Sequence, residues 1–182
     1  MMKTVFVAGS RAVSKLNPQI RERLDNIMKQ NLLVLVGDAN GADKAVQRYL
    51  TKSQYQHVVV YCMESCRNNL GGWPTRNHTA AINAPRDRHY YGLKDLAMSQ
   101  DADCGLMLWD GISKGTLTNV VNLLNAGKKL LLYLGPKKAF FKLHTYEDFQ
   151  AALHANGIQD IPQFLASLGI RNAVPHQFAI SG

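Results

Sequence analysis

Short apolar runs that end at a glycine recur along this chain, and most are followed by a stretch with helical spacing. Residues 4–8 run into Gly9, residues 32–36 into Gly37, residues 104–109 into Asp110-Gly111, and residues 129–134 into Gly135-Pro136. Residues 57–61 form a further run of the same kind. Apolar runs of strand length without polar alternation mark strands covered on both faces. Between them, Asn17-Pro18 opens a helix with Ile20, Leu24, Ile27 and Met28 on one side, Asn17 as cap and proline in the first turn. A second helix follows Gly41, residues 86–100 can form a third, and residues 115–126 a fourth, stopped by Gly127. Strand–helix units repeated at this length predict an α/β fold: a Rossmann-like, mainly parallel sheet with helices on both faces.

The chain has 182 residues, enough for one well-packed core. The strand–helix pattern occupies residues 1–136. Residues 137–182 read as a helical C-terminal extension, packed on the same domain or on a dimer partner. Thr145-x-x-Asp148 and Asp160-x-x-Gln163 are expected caps of two short helices there, and residues 175–182 have no assigned role. Residues 62–85 show no sustained period and hold Asn68-Asn69, Gly71-Gly72 and Trp73-Pro74; they read as a long loop able to cover a ligand.

No apolar run approaches the roughly 20 residues of a membrane span, so no membrane association is expected. The N-terminus leads directly into the first strand and does not read as a signal peptide. Three cysteines, Cys62, Cys66 and Cys104, do not make a disulfide framework. Cys62 and Cys66 lack a second pair at metal-ligand spacing, so reduced thiols in a cytoplasmic protein are expected, with no metal and no cofactor. The formal charge is +8, which suits an anionic partner. The positive residues are scattered, however, with a modest group at Arg67, Arg76, Arg86 and Arg88, so a phosphorylated small molecule is favoured over nucleic acid.

In an open parallel sheet, ligands bind beyond the carboxyl ends of the strands, and three glycine turns fall there. Gly9-Ser10-Arg11 combines a tight turn with a hydroxyl and a guanidinium. In Gly37-Asp38-Ala39-Asn40-Gly41-Ala42-Asp43, two glycines flank a helix start, where backbone N–H groups can face an anion and Asp38 or Asp43 can accept from ribose hydroxyls. Asp110-Gly111-Ile112-Ser113-Lys114-Gly115-Thr116 offers hydroxyls, backbone donors and an amine at another helix start. Any one of these residues also serves as an ordinary helix cap; the ligand reading rests on three turns sharing one edge.

The triple pattern resembles the SLOG superfamily, which includes the Lonely-Guy-type phosphoribohydrolases, the DNA-processing protein A fold and several bacterial families, to a branch of which this chain is similar. Lys94-Asp95-x-x-Met98 is similar to the family's basic-x-x-x-Met helix. The resemblance covers about the first 135 residues. It implies a nucleotide-sized pocket, often at a homodimer interface. Where the phosphoribohydrolases carry a catalytic glutamate this chain has Asn119, which cannot act as a general base, and their catalytic arginine is matched by Lys94. The expected function is therefore binding of a nucleotide or nucleotide-derived molecule. The ligand set is Gly9, Ser10, Arg11, Gly37, Asp38, Gly41, Ala42, Asp43, Gly111, Ser113, Lys114, Gly115, Thr116 and Asn119. The alternative is an N-glycosidic hydrolase or transferase, phosphoribohydrolase- or deoxyribosyltransferase-like. Its catalytic candidates are Asp110, Asp95 and Lys94, with Asp43 as a further carboxylate.

Overall fold

The computed structural model describes residues 2–80 and 85–170. The expected role-less end at 175–182, and residues 81–84 of the expected loop, lie outside the described residues. The elements run β1 (Thr4–Gly9), α1 (Pro18–Lys29), β2 (Leu33–Gly37), α2 (Ala42–Lys52), β3 (Val58–Met63), β4 (Thr75–His78), α3 (Arg88–Asp101), β5 (Cys104–Trp109), α4 (Lys114–Asn125) and β6 (Lys129–Leu134). A 3₁₀ turn (Gly135–Lys137), β7 (Ala139–Leu143), α5 (Tyr146–Ala155) and α6 (Ile161–Ser167) follow.

One sheet holds all seven strands in the order β4-β3-β2-β1-β5-β6-β7. Every pairing is parallel except β6 with β7. The fold is α/β and Rossmann-like. From β1 the chain winds outward through β2 and β3 to one edge, then returns through α3 to lay β5 on the other side of β1. The sheet therefore reverses its winding between β1 and β5, and such a switch point opens a crevice beyond the strand ends.

Alternation along the strands sorts the core into two layers. Val5, Val7, Val34, Val36, Val58 and Val60 face α1 and α2. Phe6, Leu35, Met107, Trp109, Leu132 and Leu134 face α3, α4, α5 and α6. Trp109 and Phe6 are fully buried, and each such side chain contributes roughly 1.5–3 kcal/mol of transfer free energy.

Local chemistry explains most element ends. The Asn17 side chain accepts from the Ile20 N–H at the start of α1, and Thr145 and Asp148 form a reciprocal capping box at α5. Asp160 caps α6 through the Gln163 N–H. Gly127 closes α4 with φ +68°, a left-handed conformation open to glycine at little cost.

Three features differ from the sequence expectation. Within the 62–85 stretch, Thr75–His78 forms edge strand β4, with Val60 opposite Thr75. The C-terminal extension is not wholly helical: Ala139–Leu143 adds an antiparallel edge strand, with Leu132 opposite Phe141. Cys62 and Cys66 are not free thiols. They are joined as a disulfide with Cα atoms 5.0 Å apart, and Cys104 is the free cysteine. Four residues of separation suffice here because β3 ends between them and the chain turns back at Glu64, where φ is +56°.

Candidate functional site

The first turn sits at the switch point. Gly9 packs against β5 and α2 so closely that a Cβ there would lie 2.5 Å from the Leu108 carbonyl oxygen and 2.9 Å from the Ala42 Cβ. Ser10, buried, is the junction of all three turns. Its carbonyl accepts from the Ala42 N–H at the start of α2 (3.1 Å), and its hydroxyl donates to Asp110 Oδ2 (2.6 Å). Arg11 is exposed, and its backbone lies directly against Gly41, where φ is +84°. A side chain at Gly41 would strike that backbone, so the contact between the first two turns depends on glycine.

Asp110 organises the third turn. Its Oδ1 accepts from the Ser113 N–H (2.8 Å) and the Ile112 N–H (3.2 Å). Burial alone would raise this carboxyl; the hydrogen bonds from Ser10 and from the Ser113 and Ile112 backbones outweigh it and hold the group below its ordinary value. Asp110 is thus an ionised, firmly placed carboxylate. The N-cap of α4, Ser113, makes no side-chain hydrogen bond to a helix backbone N–H; its hydroxyl pairs with Thr116 Oγ1 at 2.8 Å. Gly115 is exposed, with open space where a Cβ would stand. Thr116 is buried, so the first turn of α4 offers chiefly its backbone donors, with the positive end of the helix dipole behind them. Gly111, at φ +89°, is pressed against Pro136 and Asn156, and Asn156 Nδ2 donates to its carbonyl (2.9 Å). The C-terminal extension thereby braces this turn.

The second turn is built differently. Asp38, Asp43 and Lys94 are 1%, 7% and 3% exposed. Asp38 turns inward and is held by Arg67, whose Nη2, Nε and backbone N–H donate at 2.6, 3.1 and 3.0 Å. Burial would raise this carboxyl, but the Arg67 bonds and the charge of Lys94 keep it low. Asn68 Nδ2 donates to the Asp38 carbonyl (2.8 Å). The fully buried Gln47 ties the segment down, donating to the Gly37 and Asn68 carbonyls and accepting from the Leu70 N–H. The Arg67 guanidinium also lies 4.5 Å from the centre of the Tyr91 ring.

Beneath Gly37 lies a charged cluster. Lys94 Nζ donates to Asp95 Oδ1 (2.8 Å) and lies 3.9 Å from Asp38 Oδ1. A Cβ on Gly37 would collide with Asp43 Oδ2 and would lie 2.7 Å from Lys94 Nζ. Burial alone would lower the Lys94 value; the charges of Asp95 and Asp43 reverse this and raise it. Burial pushes Asp43 up to about 6, opposed by Lys94 and reinforced by Asp95. Asn119 Nδ2 reaches Asp95 Oδ2 at 3.5 Å, which joins α4 to the cluster.

Gly9, Ser10, Gly41, Ala42, Asp110, Gly111, Ser113 and Thr116 thus meet along one edge. Gly37, Asp43, Lys94, Asp95 and Asn119 form the adjoining cluster. Two candidates point elsewhere. The Asp38 carboxylate turns inward and is held by three hydrogen bonds from Arg67. The Lys114 amine lies beside Gly169, 3.2 Å from where a Cβ would stand, so it faces the end of α6. Sequence reasoning missed Gln47, Asn68 and Asn156 and had Arg67 only as part of a basic group.

Of two open depressions, one borders this edge without enclosing it and the other lies at the opposite edge of the sheet. One, of about 340 Å³, borders the β1–α1 loop and includes Ser14, Lys15, Tyr133 and Lys138. The other, of about 400 Å³, lies by Tyr55 and Trp73, at the amino-terminal end of β3. Among the described residues no helix is long and apolar enough to cross a membrane. Comparison with known proteins finds no matching family model, no matching curated protein and no matching solved structure.

Proposed function

We propose that this protein binds a nucleotide or a nucleotide-derived small molecule across the carboxyl ends of β1, β2 and β5. The observation that carries the reading is Ser10. A single buried residue at the switch point joins the start of α2 to the turn that opens α4, so the three turns behave as one prearranged surface. A phosphate suits the α4 end, where the backbone N–H groups that open the helix stand at the positive end of its dipole and the neighbouring Asp110 carboxylate is already engaged by Ser10, Ile112 and Ser113. The sugar or base suits the Asp43–Lys94–Asp95 side, which is rich in acceptors. The likeness of the three turns to the SLOG superfamily supports the same ligand class and extends to a homodimer.

Gly115→Asp separates binding from folding. An aspartate at the second position of α4 meets open space and complements the helix dipole, so stability is expected to hold or rise by a few tenths of a kcal/mol. The same charge repels a phosphate. Thermal denaturation with a panel of mononucleotides, dinucleotides and ADP-ribose is expected to show stabilisation of wild type, about 2.7 kcal/mol at a hundredfold excess over Kd, and its loss in Gly115→Asp. A folded wild type stabilised by no member of the panel would remove the proposal.

Asp43 favours a second reading, cleavage or transfer at an N-glycosidic bond. A buried carboxyl pushed up to about 6 sits near the value that suits a general acid or base at neutral pH. Release of free base from nucleoside monophosphates, abolished by Asp43→Asn, is the expected signature; no release at any pH from 5 to 8 would reject it.

A further inference from the structure

The Cys62–Cys66 disulfide lies where it can act on the site. Cys62, the penultimate residue of β3, is fully enclosed, whereas Cys66 is half-buried. A ring this short takes little entropy from the unfolded chain, so its influence is local rather than a staple of the whole fold. It encloses Glu64, a non-glycine residue at φ +56°, a conformation that persists only where surroundings impose it. Here these are the Glu64 N–H donating to the His78 carbonyl (2.9 Å), the Arg86–Glu64 ion pair (2.9 Å) and the ring itself. The residue directly after the ring is Arg67, which holds Asp38 by three hydrogen bonds, and Asn68 and Leu70 continue the attachment to Gln47. Any change in the ring is passed covalently to this segment.

We infer that Cys62–Cys66 is a thiol–disulfide exchange site for a dithiol, and that its redox state sets how firmly Arg67 is held on Asp38. A thiolate of the dithiol attacks Cys66 Sγ, the more accessible sulfur. The Cys62–Cys66 bond breaks, a mixed disulfide forms on Cys66, and Cys62 leaves as a thiolate and takes a proton. The second thiolate of the dithiol then attacks the mixed disulfide, Cys66 leaves and is protonated in turn, and the dithiol ends as its own disulfide. Two electrons and two protons pass to the protein. Reduction frees the turn at Glu64 and loosens Arg67; reoxidation by a disulfide of the same class restores it.

Two measurements on the full chain test this. Protein prepared without reductant and incubated with oxidised dithiothreitol is denatured, alkylated and weighed. One alkylated cysteine, Cys104, is expected, and three after treatment with dithiothreitol. Limited trypsin digestion then reports the hold on Arg67. Cleavage after Arg67 is expected to rise about tenfold or more on reduction, because cutting of a locally opened segment tracks how often it opens, while cleavage after the exposed Lys15 stays constant. Cys66→Ser is expected to be cut at the reduced rate under both conditions; should it fail to fold, the reduced and oxidised wild type decide alone. Three alkylated cysteines after oxidation, or a rate at Arg67 indifferent to redox state, would overturn the inference.

Discussion

Asp43 holds a carboxyl almost wholly removed from water, and this makes stability depend on pH in an unusual direction. Burial pushes the group up from 3.8 to about 6, a displacement worth roughly 3 kcal/mol. Between these values the folded protein keeps a proton that the unfolded chain has released, so stability falls as pH rises through the window from about 4 to 6. A paired carboxylate such as Asp38, held low by Arg67 despite its burial, acts oppositely: its stabilisation is present above the ordinary carboxylate range and is lost on acidification. Asp43→Asn removes the first effect and leaves the second. Urea denaturation at pH 4.5 and 7.5 is expected to show wild type losing about 1–3 kcal/mol relative to Asp43→Asn between the two; a difference constant with pH would mean the carboxyl is ionised throughout. At this scale the sequence was informative where chemistry is local. Ser10, Asp43 and Asp110 stand beside glycines at strand ends and were legible there. The pairing of Asp38 with Arg67 spans 29 residues, and Gln47 looks like any polar residue of a helix until Gly37, Asn68 and Leu70 surround it.

Elements were legible in proportion to how much of their stability is local. Helices α1, α5 and α6 announce themselves through Asn17, Thr145 and Asp160, because a cap is a bond between neighbours in sequence. Edge strands carry no such mark. Thr75–His78 is a polar tetrapeptide made a strand by β3 alone, and Ala139–Leu143 follows a glycine–proline pair that reads as a stop. The turn between β2 and α2 joins local and distant demands at Gly41. Its φ of +84° is a local signal, but the reason no other residue fits is the Arg11 backbone lying against it. Gly41→Ala is expected to cost at least about 2 kcal/mol, from the left-handed backbone and the displacement of the Arg11 segment together. Because the displaced segment carries Ser10, ligand-induced stabilisation is expected to vanish as well. Paired denaturation curves with and without nucleotide measure both effects; a variant as stable as wild type would mean that the first turn can withdraw freely from α2.

Across the whole molecule the sheet separates two apolar layers, each with its own tryptophan. Trp73 packs with Tyr55, Val58 and the α2 side, and its indole N–H donates to the Tyr55 carbonyl (2.9 Å). Trp109 lies in the opposite layer, where Leu143, Phe149, Leu153 and Leu165 of the C-terminal segment complete its surroundings. That segment shares a core with the strand–helix units, and through Asn156 it also braces the Asp110 turn. Both layers are attached to the same strands, since neighbouring residues such as Val5 and Phe6 point into opposite ones. Neither layer can melt without freeing residues that hold the other, so unfolding is expected to be a single transition. Trp73→Phe and Trp109→Phe leave one fluorescent reporter in each layer. In both variants the fluorescence midpoint in urea is expected to coincide with the loss of far-ultraviolet circular dichroism. If the Trp109 signal, reported by Trp73→Phe, were lost at lower urea than the helical signal, the C-terminal segment would be a separately melting unit. The bracing of the Asp110 turn through Asn156 could then be released without unfolding the rest of the site.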